Sequence, residues 1–359
     1  MKSIFLKGIV SALLLSFFLV ILVNKALSQT TQPNLRIRAQ SVILMDAISG
    51  QMLYEKTPQL KIGPASFVKI LTLYVAFDAI RAGDLRMDDV LTVSEKAWKT
   101  GGSKMFLKAG ERVRVEDLIK GIAIVSGNDA CVALAENISG TEEVFVSKMN
   151  EKAKMLGLEG TQFQNSHGMP VKDQYTTALD MAILARRYVE AHPEALSFHS
   201  TLSFEHNGIL QGNRNVLLRR DIGVDGLITG HVEESGYHLV VTAKRDGWRL
   251  IAVIMGSRTL SNRAREAQDL LGFGFKHFSV VDVFKKGTSF DSIKVARGKM
   301  RRVELTAAED GRVVVTKGEE KLVSVNSVVP SFIDAPIRKG QRVGKVLIQS
   351  GGKVVREVD

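Results

Sequence analysis

Two short constellations in this chain have residue types and spacing suited to nucleophilic chemistry. Ser66-Phe-Val-Lys69 sets a hydroxyl and an amine three residues apart, and on a helix such positions share a face, so the amine can reach the hydroxyl. Near a helix N-terminus and out of water, the amine loses proton affinity and could serve Ser66 as general base. Ser126-Gly-Asn128, about 60 residues further on, adds a second hydroxyl and a carboxamide. Each pattern recurs, as Ser350-Gly-Gly-Lys353 and Ser324-Val-Asn326. Spacing alone is therefore weak, and order and context must separate the copies. Other chemistries lack their residues. The seven histidines form no His-Glu-x-x-His and no metal-ligand spacing, no Gly-x-Ser-x-Gly elbow is present, and no metal or other cofactor is implied. His167 reads as a loop-holding residue. The lone Cys131 sits in the apolar run Ala130–Ala135, which excludes a disulfide framework and suits core packing better than a reactive thiol.

These side chains need elements to hold them. Ser41 to Asp46 and Gln51 to Glu55 alternate around the turn Ala47-Ile-Ser-Gly50, which predicts a hairpin. Pro64 opens an apolar run from Ala65 to Ala82 that Gly83 closes; a helix apolar on nearly every side must be central. Further helices are expected at Val115 to Val125, Asp129 to Asn137, Glu142 to Leu156 and Thr177 to Ala191. Strands return at Val224 to His231, His238 to Lys244 and Trp248 to Gly256, the last two joined by Asp246-Gly247, before a helix from Asn262 to Phe273. Strands enclosing a block of helices predict an α+β domain, an antiparallel sheet covered by helices, up to His277. From 278 to 359 short alternating runs such as Arg312 to Thr316 and Lys345 to Gln349 are cut by glycines, predicting a small all-β domain.

The chain is long enough, at 359 residues with 45% hydrophobic and 24% charged, to bury one large core or two smaller ones. Its first 28 residues stand apart. Lys2 and Lys7 precede an apolar stretch from Gly8 to Val23, and Ala26-Leu-Ser28 offers small residues before Gln29. That is the pattern of a signal peptide, or of an uncleaved anchor if it stays. No later segment is apolar for long enough to span a bilayer. The remainder, 29–359, carries net charge +8, of which +6 lies between Val281 and Asp359. An exported chain without aromatic-basic stacking motifs is not a nucleic-acid binder. Anionic cell wall, a membrane surface, or merely a solvated basic face remain for its C-terminal end.

Six ordered segments give the chain a family resemblance: Ile62-Gly-Pro-Ala-Ser-Phe-Val-Lys69, Lys104 to Gly110, Ile124 to Cys131, Asn165-Ser-His-Gly-Met169, Val224 to His231 and Leu271 to Phe275. Together they resemble the low-molecular-mass penicillin-binding proteins that act as serine-type D-alanyl-D-alanine carboxypeptidases, from about Gln40 to Phe278 and more loosely beyond. The resemblance implies the penicillin-binding, serine β-lactamase-like transpeptidase fold. It makes Ser66 the nucleophile on the terminal D-Ala-D-Ala bond of peptidoglycan stem peptides, Lys69 its base, and Ser126 with Asn128 a proton relay and substrate anchor. It assigns the oxyanion hole to the N–H groups of Ser66 and His231, the substrate-lining strand to Ile228, Thr229 and Gly230, and a cation near the substrate carboxylate to Arg263, against the plain alternative of a solvated helix-start charge. β-Lactams would be covalent inhibitors, and the protein would work in the periplasm or on the outer face of the cytoplasmic membrane.

Two departures qualify this. The family's third motif begins with Lys where this chain has Ile228, so a charge that helps hold the substrate carboxylate is missing. Family members commonly continue into a membrane-lying amphipathic helix, whereas this chain stops at Val358-Asp359. If the natural chain ends there, a periplasmic protein that is soluble or held by its N-terminal segment is expected; a shortened sequence is the equal alternative. The alternatives left open are a catalytically impaired peptidoglycan-binding protein, for which Ile228 is the support, and an endopeptidase or weak β-lactamase on the same machinery.

Overall fold

The computed structural model describes residues 35–359, so the signal-like segment up to Ser28 and the expected processing site before Gln29 lie outside the described residues. Every described helix and strand lies within Arg38–Asp359. In chain order, the hairpin β1 (Ser41–Asp46) and β2 (Met52–Lys56) leads into helices α1 (Val68–Ala82), α2 (Glu95–Lys99), α3 (Val115–Ala123), α4 (Asn128–Ser139), α5 (Glu142–Met155), α6 (Ala178–Ala191) and α7 (Ala195–His199). Two small two-stranded sheets fall within and after this block: β3 (Val90–Thr92) with β4 (Arg112–Arg114), which α2 separates in sequence, and the hairpin of β5 (Ser203–His206) with β6 (Ile209–Gly212). Strands β7 (Val224–Val232), β8 (Gly236–Arg245) and β9 (Trp248–Ser257) and helix α8 (Leu260–His277) come next.

The sheet joins the two ends of this region, in the antiparallel order β2-β1-β9-β8-β7. Its central strands are buried on both faces, which is why β1 and β9 read as nearly continuous apolar runs. Ile43, Met45, Ile251, Val253 and Met255 join the core shared with the helical block. Their alternate neighbours Leu44 and Leu250 meet α8, where a Cβ added at Gly274 would stand 2.6 Å from Leu250 and 2.9 Å from Leu44. Asp246 and Gly247 both take positive φ, the backbone of a two-residue hairpin turn. Thr141, Thr177 and Thr259 each cap a helix by accepting a hydrogen bond from the backbone N–H three residues on.

Helix α1 is central, as expected, and ends at Gly83 in the left-handed conformation. The expected start at Ala65 divides in two: Ala65–Phe67 is a 3-10 turn and the α-helix begins at Val68. Sequence periodicity also missed the short elements α2, α7 and the two small two-stranded sheets, each too brief to show a period.

Residues from Phe278 on form the C-terminal all-β domain. Its strands are β10 (Phe278–Phe284), β11 (Ser289–Ala296), β12 (Arg302–Thr306), β13 (Gly311–Thr316), β14 (Val323–Val328), β15 (Phe332–Asp334), β16 (Lys345–Ser350) and β17 (Lys353–Val358). They make three sheets, β10-β13, β12-β11-β15 and β14-β16-β17, around a small core that includes Val313, Val315, Val346 and Ile348. The Gln51 carboxamide ties this domain to β2's hairpin, donating to the Val314 carbonyl at 2.8 Å and accepting from its N–H at 3.2 Å.

Candidate active site

Ser66 sits in the tight turn that feeds α1. Its predecessor Ala65 has φ +49°, a conformation disfavoured for any residue with a Cβ, held here by packing on both sides. Lys69, one turn on, is fully buried. Its Nζ lies 3.0 Å from Ser66 Oγ and 2.8 Å from Asn128 Oδ1, and it also donates to the backbone carbonyl of His167. The three-residue spacing read from the sequence thus becomes a direct contact.

The break between α3 and α4 delivers the second motif. Ser126 adopts φ +62° at this break and its Oγ donates to Ser66 Oγ at 2.9 Å. Asn128 is fixed at both ends of its carboxamide, accepting from Lys69 and donating through Nδ2 to the Gly101 carbonyl at 2.8 Å. Next to it, Asp129 is buried and accepts backbone N–H groups of Met105 (2.8 Å) and Leu107 (3.1 Å). That carboxylate pins the 103–107 segment against the motif and explains why Lys104 to Gly110 belongs to the site's sequence signature.

A loop at 165–169 closes the third side. Asn165 Oδ1 accepts from the N–H groups of His167 (3.3 Å) and Gly168 (2.6 Å), and His167 Nδ1 accepts from Met169 N–H at 3.2 Å. Gly168 has φ +90°, and a Cβ there would stand 1.8 Å from the Ala65 carbonyl oxygen. Only glycine lets this loop lie flat on the Ser66 turn.

Strand β7 forms the fourth side. A Cβ built at Gly230 would be 2.9 Å from Ala65 Cβ and 3.4 Å from Ser66 N, so the strand passes directly beside the Ser66 backbone. Thr229 is nearly buried; His231, one residue past Gly230, is exposed and stacks on Tyr237 at 4.2 Å. Ile228 is 2% exposed and packed into the same apolar cluster as Phe67 and Met105, so position 228 supplies no charge. Arg263 is no solvated helix-start charge: it is 4% exposed. Its Nη1 donates to the carbonyls of His238 (3.3 Å) and Gly230 (3.5 Å), while its Nε has no partner.

The electrostatics follow from burial. Loss of water pushes the Lys69 amine down to about 8, with nearby Asp129 acting against the shift. Burial pushes the neighbouring Cys131 thiol up to about 12, so it brings no charge to Lys69 and is no nucleophile at neutral pH. Burial also pushes His167 down to about 4, against the raising effect of Glu142, which leaves its imidazole neutral. Arg263 is lowered to about 10 by desolvation and remains a cation. A hydroxyl in contact with an amine of such low proton affinity can be deprotonated as it attacks a carbonyl, and a second hydroxyl in contact with the first can carry a proton to a leaving group.

Of the residues singled out in the sequence, Ser66, Lys69, Ser126 and Asn128 form one hydrogen-bonded set, with Gly230 alongside and Thr229, His231 and Arg263 on or against the same strand. The duplicate motifs sit elsewhere: Ser324 and Asn326 on β14, Ser350 and Lys353 either side of a glycine turn. Among the described residues no cluster of His, Cys, Asp and Glu could hold a metal ion. Sequence reading missed the work of main-chain groups, above all the His167 carbonyl, because a carbonyl's role leaves no residue-type signal.

The chain matches the D-alanyl-D-alanine carboxypeptidase family, peptidase S11, over residues 27–259, and the C-terminal domain of penicillin-binding protein 5 over residues 278–359. It is 39% identical over 329 residues to D-alanyl-D-alanine carboxypeptidase DacC of Escherichia coli, covering 89% of this chain and 82% of that protein. The crystal structure of penicillin-binding protein 5 from Haemophilus influenzae is similar with a TM-score of 0.86 at 37% identity, over 91% of this chain and 96% of that one. Penicillin-binding protein D2 of Listeria monocytogenes in its ampicillin-bound form is similar with a TM-score of 0.63 at 28% identity, over 68% of this chain and 100% of that one.

Proposed function

The chain belongs to the peptidase S11 family of serine-type D-alanyl-D-alanine carboxypeptidases, and from that premise we propose that it is exported and trims peptidoglycan stem peptides through an acyl-enzyme on Ser66. The observation that carries this is the contact of Ser66 Oγ with both Lys69 Nζ and Ser126 Oγ beside a strand that leaves room at Gly230. With its affinity lowered to about 8, roughly a tenth of Lys69 is neutral at pH 7. The neutral amine takes the Ser66 proton as Oγ bonds to the carbonyl carbon of the penultimate D-Ala. The oxyanion is held by the N–H groups of Ser66 and His231. Collapse breaks the peptide bond, the departing D-Ala amine receives a proton relayed through Ser126, and water then hydrolyses the ester.

Ile228 weakens this machinery on our reading. A charge-assisted hydrogen bond is worth about 1.5–3 kcal/mol, so its loss costs about 10- to 150-fold in rate or affinity. Arg263, with its unpartnered Nε, is the cation left to meet the substrate's terminal carboxylate. The domain division we propose is a signal peptide at 1–28, a peptidase domain at 29–277 and a β domain at 278–359. Among the described residues no helix is long and apolar enough to cross a membrane. The β domain contains a cleft of about 1000 Å³ with apolar walls such as Phe290 and Leu305. Lys286, Lys299, Arg338 and Lys339 at this cleft have no ion-pair partner among the described residues. We assign the cleft's charge to anionic cell wall rather than to a membrane, since a concave surface suits a polymer segment.

Three outcomes test these assignments. Intact mass after incubation with a penicillin shows a covalent adduct that Ser66→Ala abolishes and Lys69→Ala strongly slows; an adduct that disappears in Ser350→Ala instead moves the site to the C-terminal domain and ends this reading. Ile228→Lys raises kcat/KM on a D-Ala-D-Ala peptide about 10-fold or more, and unchanged or lower turnover shows that the cleft recognises its carboxylate without position 228. N-terminal sequencing of the exported protein reads Gln29 or a close neighbour as the first residue; Met1 there favours the anchor.

A further inference from the structure

One buried carboxylate near the site takes no part in the chemistry above. Glu142, the first residue of α5, is 7% exposed. Its Oε1 accepts from the Ser166 N–H at 3.0 Å and the Ser166 hydroxyl at 2.7 Å, and its Oε2 is 3.0 Å from Lys96 Nζ on α2. Burial pushes this carboxyl up, but the Ser166 hydrogen bonds and Lys96 outweigh it and hold Glu142 below the ordinary range, so it is charged at neutral pH. On the other side of the same residue, Thr72 Oγ1 of α1 donates to the Ser166 carbonyl at 2.6 Å. Ser166 is thus gripped from α5 and from α1, and the next carbonyl along, that of His167, is the one that accepts from Lys69.

The consequence for Lys69 is geometric. A neutral amine has two N–H bonds and one lone pair in tetrahedral arrangement. If the two N–H bonds are taken by Asn128 Oδ1 and the His167 carbonyl, the lone pair is left facing Ser66 Oγ. Remove the His167 carbonyl and the amine can turn. The same carbonyl also stabilises the ammonium form, so its loss lowers the proton affinity of Lys69 further. The charged and titratable groups around Lys69 are otherwise Asp129 and the neutral Cys131 on α4 and the neutral imidazole of His167; those around Glu142 are Lys96 on α2, the neutral His167 at 3.6 Å, the neutral Cys131, and Glu143 beside it.

We propose that Glu142 is a positioning residue for acylation, fixing the 165–169 loop so that the His167 carbonyl orients the lone pair of Lys69 toward Ser66. This rests on the reading of Lys69 as the base. Glu143 provides a control, because it pairs with the same Lys96 at 2.7 Å but is exposed and touches no part of the loop.

The experiment is the pH dependence of penicillin acylation and of kcat and KM on a D-Ala-D-Ala peptide, for the full chain and for Glu142→Gln, Glu142→Ala and Glu143→Gln, each normalised to the fraction of sites that penicillin titrates. Both Glu142 variants lower kcat and the acylation rate, about 10-fold or more for Glu142→Ala and less for Glu142→Gln. KM stays within about two-fold and the apparent pKa of the rising limb moves down. Glu143→Gln leaves rate and pKa unchanged. A loss that vanishes on normalisation, or a Glu142 variant with the parent's rate and pKa, overturns the proposal. If Glu142→Ala does not fold, Glu142→Gln alone decides on the same two readouts. A parent chain that forms no adduct at Ser66 instead defeats the acyl-enzyme reading, before Glu142 is in question.

Discussion

An ammonium taken out of water must be compensated, and at Lys69 its direct hydrogen-bond partners are all neutral oxygens, with the Asp129 carboxylate acting only from a distance. Ser66 Oγ, Asn128 Oδ1 and the His167 carbonyl surround Nζ, and no carboxylate makes an ion pair with it among the described residues. The carboxylate close enough to matter, Asp129, has its oxygens engaged by the backbone N–H groups of Met105, Leu107 and Ala130. A direct ion pair would hold the proton on the lysine and leave no base. Burial with neutral partners instead brings the two protonation states into balance near pH 8.

Much of the surrounding structure keeps that arrangement in place. Three segments distant in sequence converge on the Ser66 turn, and at two of them only glycine fits: Gly168 against the Ala65 carbonyl, and Gly230 against Ala65 Cβ and Ser66 N. Ala65 and Ser126 hold positive φ beside Ser66. Such conformations cost of order 1–3 kcal/mol each, and they persist here because α1, β7 and the 165–169 loop pack against them from several sides. The strain and the close approaches coincide with the hydrogen-bonded set of Ser66, Lys69, Ser126 and Asn128.

The fold was legible in the sequence where a period was long enough to see. The hairpin Ser41 to Glu55, the apolar helix closed by Gly83, and the Asp246-Gly247 turn all carried local signals that tertiary packing did not override. Short elements such as Glu95–Lys99 carried none. At the site, the side chains of Ser66, Lys69, Ser126 and Asn128 could be read from residue type and order. The setting of Arg263 could not, since its burial depends on β7 and β8 meeting α8. Nor could the Ser166–Glu142 contact, because it joins a loop to a helix start through backbone as well as side-chain groups. Ile228 was legible as an apolar residue, and it lies buried in the main apolar cluster.

All of this depends on Lys69 being a weakly basic amine in the folded enzyme. Titration of the Lys69 13Cε resonance by NMR, assigned by its absence in Lys69→Ala, measures that property directly. The expected midpoint is near 8, well below the ordinary lysine value of 10.5. A midpoint at or above 10.5 would mean that the amine stays protonated through the working range, and the role of Lys69 as the base for Ser66 would be contradicted.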